Sequence, residues 1–185
     1  MKPTGRQYCL GYNFTYIEGW GPSMAIVNNV TRLLDSRKIS YSSYELPAEK
    51  LGALDTAKIL NVAPASVYKT IVITRDKPKK SILVVLPGTA VADLKLVAAA
   101  LGEKKVYLPT EHEAEALTGL KAGGISPLAL INKGFQVVID ESAKVQKVIH
   151  ISGGQRGLNI KLPVAELAEL TNAIFAPVSR PIEDV

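Results

Sequence analysis

One lysine interrupts an apolar strand pattern in the first half of the chain. In the segment "VYKTIVI" (67–73), side chains alternate between two faces, so Lys69 shares its face with Val67, Ile71 and Ile73. A lysine there either extends to water at an edge or points into a cavity with an anionic or carbonyl partner, because a buried, unpaired ammonium is costly. The pattern favours neither interpretation over the other.

A segment with two adjacent glycines is the second candidate for chemistry. Gly123, Gly124, Ile125, Ser126 and Pro127 follow one another in the chain. The glycines allow unusual dihedral angles and a close approach of backbone N–H groups to a ligand, whereas Pro127 restricts Ser126 to an extended conformation. The segment predicts either a nest for a carbonyl or carboxylate group, or a plain linker between helix and strand.

Ser126 would need a basic partner to act as a nucleophile. The two histidines lie elsewhere, His112 in the first turn of a predicted helix and His150 in a predicted strand, and neither belongs to a catalytic motif. The sequence also contains no G-x-S-x-G elbow, no H-E-x-x-H and no phosphate-binding P-loop. We therefore do not expect a Ser–His hydrolase.

A second glycine cluster, "SGGQRGL" (152–158), has a different spacing from a dinucleotide-binding loop. Its glycines at positions 153, 154 and 157 do not match G-x-G-x-x-G, and a strand rather than a helix follows. We interpret it as a tight turn between strands. Arg156 either projects outward from this turn or contacts a phosphate group.

Composition limits the class of protein. The 185 residues are 47% hydrophobic, enough for a globular core, and the net charge of +5 with a pI near 9.2 favours an acidic partner such as a nucleic acid. A single cysteine, Cys9, excludes an intramolecular disulfide or a cysteine-based metal cluster. No apolar run is long enough for a membrane span, and we expect a soluble, cytoplasmic protein without a cofactor or bound metal.

The first 23 residues differ in composition from the rest. They contain the only cysteine and a dense group of aromatic residues: Tyr8, Tyr12, Phe14, Tyr16 and Trp20. We interpret 1–23 as an atypical leader, either vector-derived or mis-started, with an aromatic interaction arm as the alternative, and 24–185 as a single domain.

Periodicity and turn signals place these residues on predicted elements. Helices are predicted at 25–38, 54–60, 94–101, 110–117 and 163–170. Strands are predicted at 40–46, within a hairpin at 67–86, and at 105–108, 128–131, 135–140, 144–152 and 158–162. Because strands and helices do not alternate strictly, we expect an α+β fold with a mixed, largely antiparallel, curved and barrel-like sheet and helices packed outside.

The ordered set of motifs resembles a known family. "VYKTIVI", "TGLKAGGISPLAL", "VVIDESA" and "ISGGQRGLNIKL" occur in the order and spacing of the YbaK/EbsC family of aminoacyl-tRNA deacylases, which is related to the editing domain of prolyl-tRNA synthetase. The resemblance extends from about residue 25 to about residue 179. It implies that family's fold, and hydrolysis of the ester that joins a wrong amino acid to the 3′ end of tRNA, typically cysteine on the proline tRNA.

The resemblance also assigns roles to residues. It implies that Lys69 is the key catalytic residue. It assigns substrate binding to Tyr44, Thr70, Gly123, Gly124, Ile125, Ser126, Pro127, Gly153, Gly154 and Arg156. In cysteine-specific members the substrate's own thiol attacks its ester carbonyl, so no protein nucleophile is needed and the protein contributes placement. Lys69 would then anchor the terminal nucleotide or the oxyanion, and N–H groups of the glycine segment would polarise the carbonyl.

Several positions depart from the cysteine-specific pattern: Leu120, Ala129, Leu130 and Gln155. We expect these changes to alter the pocket lining and one phosphate-facing charge, which leaves a deacylase of different amino-acid specificity as an alternative. A non-catalytic tRNA- or synthetase-binding module is a second alternative, and a small-molecule ester or nucleotide hydrolase is a third. The expected partners are the aminoacyl-tRNA acceptor end and prolyl-tRNA synthetase.

Overall fold

A computed structural model describes residues 26–76 and 80–182. The leader predicted at 1–23 lies outside these ranges, as do residues 77–79 in the polar turn of the predicted hairpin. The described helices are α1 (Asn29–Ser36), α2 (Ala53–Leu60), α3 (Leu94–Ala100), α4 (Glu111–Thr118) and α5 (Val164–Thr171). The described strands are β1 (Ser42–Glu45), β2 (Tyr68–Arg75), β3 (Ile82–Pro87), β4 (Ala90–Ala92), β5 (Val106–Tyr107), β6 (Gln136–Asp140), β7 (Val148–Ser152), β8 (Leu158–Pro163), β9 (Ile174–Ala176) and β10 (Ser179–Pro181).

The strands form a mixed α+β arrangement of three sheets. The largest has the order β5-β2-β3-β6-β9, in which β2 pairs antiparallel with β3 and β5, while β3–β6 and β6–β9 are parallel. An antiparallel sheet β1-β8-β7 and a two-stranded sheet β10-β4 complete the set. None of these sheets closes on itself within the described ranges, so the barrel-like closure stays a prediction.

The central strand β3 explains where the core lies. Each of its six residues is buried, as expected for a strand covered on both faces. Leu83 and Val85 join the core cluster that includes α1, β7 and β8, whereas Ile82, Val84 and Leu86 join the cluster beneath α3. Alternation along one strand therefore divides the interior into two layers. No described helix is long and apolar enough to span a membrane.

Local capping corrects the predicted start of the first helix. The Asn28 side chain accepts hydrogen bonds from the backbone N–H groups of Val30 (2.9 Å) and Thr31 (3.1 Å), and Thr31 completes a capping box. The helix therefore begins at Asn29 rather than just after Met24. The capping box predicted at Thr110 and Glu113 is confirmed at α4.

Three other element predictions were wrong in part. Residues predicted as a strand at 128–131 form a 3₁₀ helix, Leu128–Lys133, because Pro127 has helical dihedral angles and starts the turn. The strand predicted at 144–152 begins only at Val148, after the 3₁₀ helix Glu141–Val145. The helix predicted to begin at Pro163 begins one residue later, at Val164. Pro163 is its N-cap and also the last residue of β8.

Candidate active site

The region around Lys69 contains a cavity of about 410 Å³. Its walls come from β2, from the segment 46–52 and the start of α2, from the start of α4, and from the two glycine segments. Of the residues assigned from sequence, Lys69, Thr70, Gly123 and Ile125 line the cavity, whereas Tyr44, Gly124, Ser126, Pro127, Gly153, Gly154 and Arg156 do not. The structure thus brings the lysine strand and the first glycine segment to one site.

Lys69 is half-buried at this site. Its Nζ donates a long hydrogen bond of 3.5 Å to the carbonyl oxygen of Gly88, the residue that follows β3, and no ion pair to a described carboxylate is present. Burial lowers the pKa of the Lys69 ammonium because a low-dielectric surrounding disfavours the charged form. The ammonium can therefore bind an anionic or carbonyl oxygen without first breaking an internal salt bridge.

Gly124 is engaged with the protein instead of facing the cavity. Its N–H donates to the carbonyl of Lys121 (2.8 Å), which closes a turn. A Cβ on Gly124 would lie 2.9 Å from the backbone N of Arg156 and 2.9 Å from the backbone C of Gln155. The two glycine segments thus pack backbone against backbone, a contact that only glycine permits at this position. The expected donation from this N–H to a substrate carbonyl is not available.

Gly123 and Ile125 are the members of the first glycine segment that face the cavity. Gly123 has a positive φ of +86°, a conformation that favours glycine, and the chain turns at this residue. No hydrogen bond within the described residues engages the N–H groups of Gly123 and Ile125. These two N–H groups are the remaining candidates for polarising a carbonyl oxygen.

A network of hydrogen bonds and ion pairs, here called the latch, holds the first glycine segment on the side away from the cavity. It consists of Glu115, Lys121, Ala122 and Arg156. Glu115 Oε1 accepts the Ala122 N–H (2.8 Å), and Glu115 Oε2 binds Lys121 Nζ (2.9 Å). Arg156 Nε donates to the Ala122 carbonyl (2.7 Å), with its guanidinium 4.0 Å from Glu115. The hydrogen bond from the Ala122 N–H, followed by the one from Lys121, lowers the pKa of Glu115. Arg156 therefore joins both glycine segments to α4.

The second glycine segment is packed against the core. Gly153 donates its N–H to the Leu158 carbonyl (2.8 Å), and a Cβ there would meet the Leu158 side chain at 2.4 Å. A Cβ on Gly154 would meet Val30 and Ala129 at 3.0 Å. These contacts position the turn that supports Gly124.

Ser126 and the histidines do not form a catalytic pair. Ser126 is fully buried, and its Oγ has no hydrogen-bond partner among the described residues. His150 Nδ1 donates to Asn159 Oδ1 (2.9 Å), and its pKa is lowered, chiefly by burial and also by Lys161. The Tyr44 ring packs against His150, with 5.5 Å between ring centroids. Tyr44 therefore contacts His150, and neither residue lines the cavity.

Asn159 was missed by sequence reasoning. It lies on β8, lines the cavity, and has its amide oriented by the hydrogen bond from His150. Ser152, at the end of the neighbouring strand β7, also lines the cavity. In the sequence both residues appear only as polar positions of alternating strands, and the antiparallel pairing of β7 with β8 is what brings them together.

The expected changes to the pocket lining were wrong. None of Leu120, Ala129, Leu130 and Gln155 lines the cavity. The first three pack against the core, and Gln155 Oε1 accepts a hydrogen bond from Asn28 Nδ2 (3.0 Å). Leu120, Ala129 and Leu130 therefore contribute to internal packing, whereas Gln155 is exposed.

Comparisons with known proteins agree with this architecture. A family model described as an aminoacyl-tRNA editing domain matches residues 47–170. Over 153 residues, the chain is 33% identical to an Enterococcus faecalis protein provisionally named Cys-tRNA(Pro)/Cys-tRNA(Cys) deacylase EbsC, covering 82% of this chain and 92% of that protein.

Two solved structures show the same fold. The crystal structure of a hypothetical protein superposes with a TM-score of 0.76 at 24% identity, covering 83% of this chain and 100% of the other. A protein described provisionally as a trans-editing enzyme for prolyl-tRNA synthetase superposes with a TM-score of 0.68 at 22% identity, covering 84% of this chain and 99% of the other.

Proposed function

Because the chain belongs to the aminoacyl-tRNA editing domain family and is an aminoacyl-tRNA deacylase, we propose that its substrate is cysteine esterified to the proline tRNA. The Enterococcus faecalis relative carries this substrate in its name. The proposed site is the Lys69 cavity, and the products are free tRNA and, after hydrolysis, free cysteine.

One observation carries the proposal: a half-buried ammonium lies in a cavity without a carboxylate partner among the described residues. Within the described part of the chain, Lys69 Nζ makes one long hydrogen bond, to the Gly88 carbonyl. A phosphate or a developing oxyanion would supply the strong charge-assisted partner that this ammonium lacks. The terminal nucleotide of an aminoacyl-tRNA offers both groups within one ligand.

In the reaction that fits this site, the nucleophile is the thiol of the substrate and not a side chain of the protein. The cysteine thiol attacks the carbonyl carbon of its own ester, the C–S bond forms, and the bond from that carbon to the ribose oxygen breaks. The ribose oxygen takes up the thiol proton, and water later opens the cyclic thioester. Lys69 and the N–H groups of Gly123 and Ile125 stabilise the oxyanion, and the cavity holds the thiol near the carbonyl.

A panel of aminoacylated tRNAs tests the proposal. Wild-type protein is incubated with cysteinyl-, seryl-, alanyl- and prolyl-tRNA(Pro), and the products are identified by mass spectrometry. We expect release of cysteine through a cyclic thioester and little release of serine, because a hydroxyl is a weaker nucleophile than a thiol. Lys69→Ala is expected to lower kcat/KM by about 100-fold, the effect of removing one oxyanion-stabilising donor.

Lys147→Ala is the matched control, because this exposed lysine does not line the Lys69 cavity. Serine release as fast as cysteine release would contradict thiol attack. Unchanged deacylation by Lys69→Ala would contradict the assignment of the site.

A further inference from the structure

A second cavity lies next to the Lys69 cavity and shares part of its β2 wall. It encloses about 520 Å³, within the range of roughly 300–1,000 Å³ typical of ligand sites. Its walls come from β2, β4, β10 and the start of α3. Lys69, Ile71 and Leu108 line both cavities. The Lys69 side chain therefore stands at the boundary between the two.

The described lining residues of the second cavity carry more positive than negative charge. They include Lys69, Lys95 and Arg180, and Asp93 is the only acidic residue among them. Asp93 Oδ1 is already occupied as the N-cap of α3, where it accepts the N–H groups of Lys95 (2.9 Å) and Leu96 (3.1 Å). Lys95 and Arg180 are both exposed, and their side chains form a cationic rim of this cavity.

The remaining walls suit flat, partly apolar groups. Leu94 and Leu108 line the cavity, and Leu108 is 62% exposed, a large fraction for a leucine. Nucleobases pack on apolar surfaces and on arginine guanidinium planes, while their phosphates bind lysine and arginine. Cations beside exposed aliphatic side chains thus match a single strand of nucleic acid better than a free anion, which would use only the charges.

Resting on the proposed function, we propose that the second cavity binds the single-stranded RNA immediately preceding the aminoacylated nucleotide. The aminoacyl group and terminal ribose occupy the Lys69 cavity. Lys69 lies where the chain passes from one cavity to the other, beside the phosphate of the terminal nucleotide. Lys95 and Arg180 contact the preceding phosphate groups, and Leu108 packs against a base.

The test compares a long and a short substrate. Lys95→Glu/Arg180→Glu is assayed with cysteinyl-tRNA(Pro) and with the cysteinyl ester of adenosine, which lacks all upstream nucleotides. We expect KM for the tRNA to rise about tenfold with kcat retained, and its salt dependence to weaken by about 0.7 log units per lost phosphate contact. The adenosine ester should react at an unchanged rate.

Lys104→Glu/Lys147→Glu is the charge-matched control, because both lysines are exposed and line neither cavity. Equal loss on the long and short substrates would overturn the inference, as would an unchanged KM for the tRNA. A loss of the same size in the control would also overturn it, because net charge alone would then explain the effect.

A binding measurement separates this inference from the proposed function. The affinity of the wild type for the trinucleotide 5′-CCA-3′ is compared with its affinity for AMP. If the trinucleotide binds more tightly and the double variant loses that difference, the second cavity is an RNA site even when no ester is hydrolysed. If esters are hydrolysed but the two ligands bind equally, the proposed function stands and this inference falls.

Discussion

Ser126 places a hydroxyl where no described donor or acceptor reaches it. A buried, unpaired polar group costs about 1–3 kcal/mol, so removing it does not destabilise the fold as removal of a paired group would. Gly124, two residues earlier, has backbone atoms 2.9 Å from the position of a Cβ. Backbone cannot rotate aside as a side-chain end can, and overpacking of this kind costs roughly 1–3 kcal/mol.

These two residues give a ranked prediction. Ser126→Ala should keep the Tm within a few degrees of wild type and leave kcat/KM within about threefold, since no step requires its hydroxyl. Gly124→Ala should lower the Tm and reduce kcat/KM about tenfold or more, because it displaces Gly123 and Ile125 from the cavity wall. Thermal denaturation and deacylation kinetics on cysteinyl-tRNA(Pro) measure both. If Ser126→Ala reduced kcat/KM more than Gly124→Ala, the Ser126 hydroxyl would have to take part in the reaction.

At the residue scale, sequence reasoning succeeds where a residue breaks a local rule. Lys69 is conspicuous because a charge interrupts an apolar strand face, and the structure places it half-buried in the cavity. Asn159 breaks no such rule, because a polar residue is ordinary at an alternating position of a strand. Its place in the cavity depends on the pairing of β7 with β8, which brings His150 within 2.9 Å of its amide oxygen.

At the scale of elements, the latch between α4 and the glycine segments decides the position of the cavity wall. Glu115 binds Ala122 and Lys121, and Arg156 binds the same Ala122 through its carbonyl. Local elements such as α4 are visible in the sequence through their caps. The latch is not visible there, because Arg156 lies 34 residues beyond Ala122.

Glu115 is therefore expected to act as a positioning residue. Glu115→Ala should reduce kcat/KM about tenfold or more and increase hydrogen exchange in residues 121–127, with little change elsewhere. Glu115→Gln should be milder, because its amide oxygen can still accept the Ala122 N–H. Glu169→Ala is the matched control, an exposed acid on α5 that lines neither cavity. Fast exchange throughout the protein would indicate a purely structural role.

Elements were predicted well where periodicity and caps agreed, and poorly where strands are short. The hairpin of β2 and β3 is confirmed by six paired positions. In contrast, β4, β9 and β10 have three residues each and were not predicted. Three residues cannot show an alternating pattern. Asp140 helps to hold the last of them by accepting the Val178 N–H (3.2 Å), a contact between distant parts of the chain.

At the scale of the whole molecule, both cavities are proposed to bind only the 3′ end of a tRNA. The Lys69 cavity is proposed for the aminoacyl group, and the second cavity for the nucleotides before it. These groups are common to all tRNAs, since every acceptor end has the same terminal CCA. Contacts limited to this end can read the amino acid and cannot distinguish one tRNA from another. Selection of the proline tRNA then requires a further surface, which prolyl-tRNA synthetase would supply.

Selectivity for the proline tRNA should therefore depend on the partner synthetase. The isolated protein should deacylate cysteinyl-tRNA(Pro) and cysteinyl-tRNA(Cys) with rates within about threefold, a difference of less than 1 kcal/mol. Adding prolyl-tRNA synthetase should favour the proline tRNA, because that synthetase holds it near the cavity at a high effective concentration. Cysteinyl-tRNA synthetase in place of prolyl-tRNA synthetase is the control. Strong discrimination by the isolated protein would mean that its own surface reads nucleotides beyond the acceptor end.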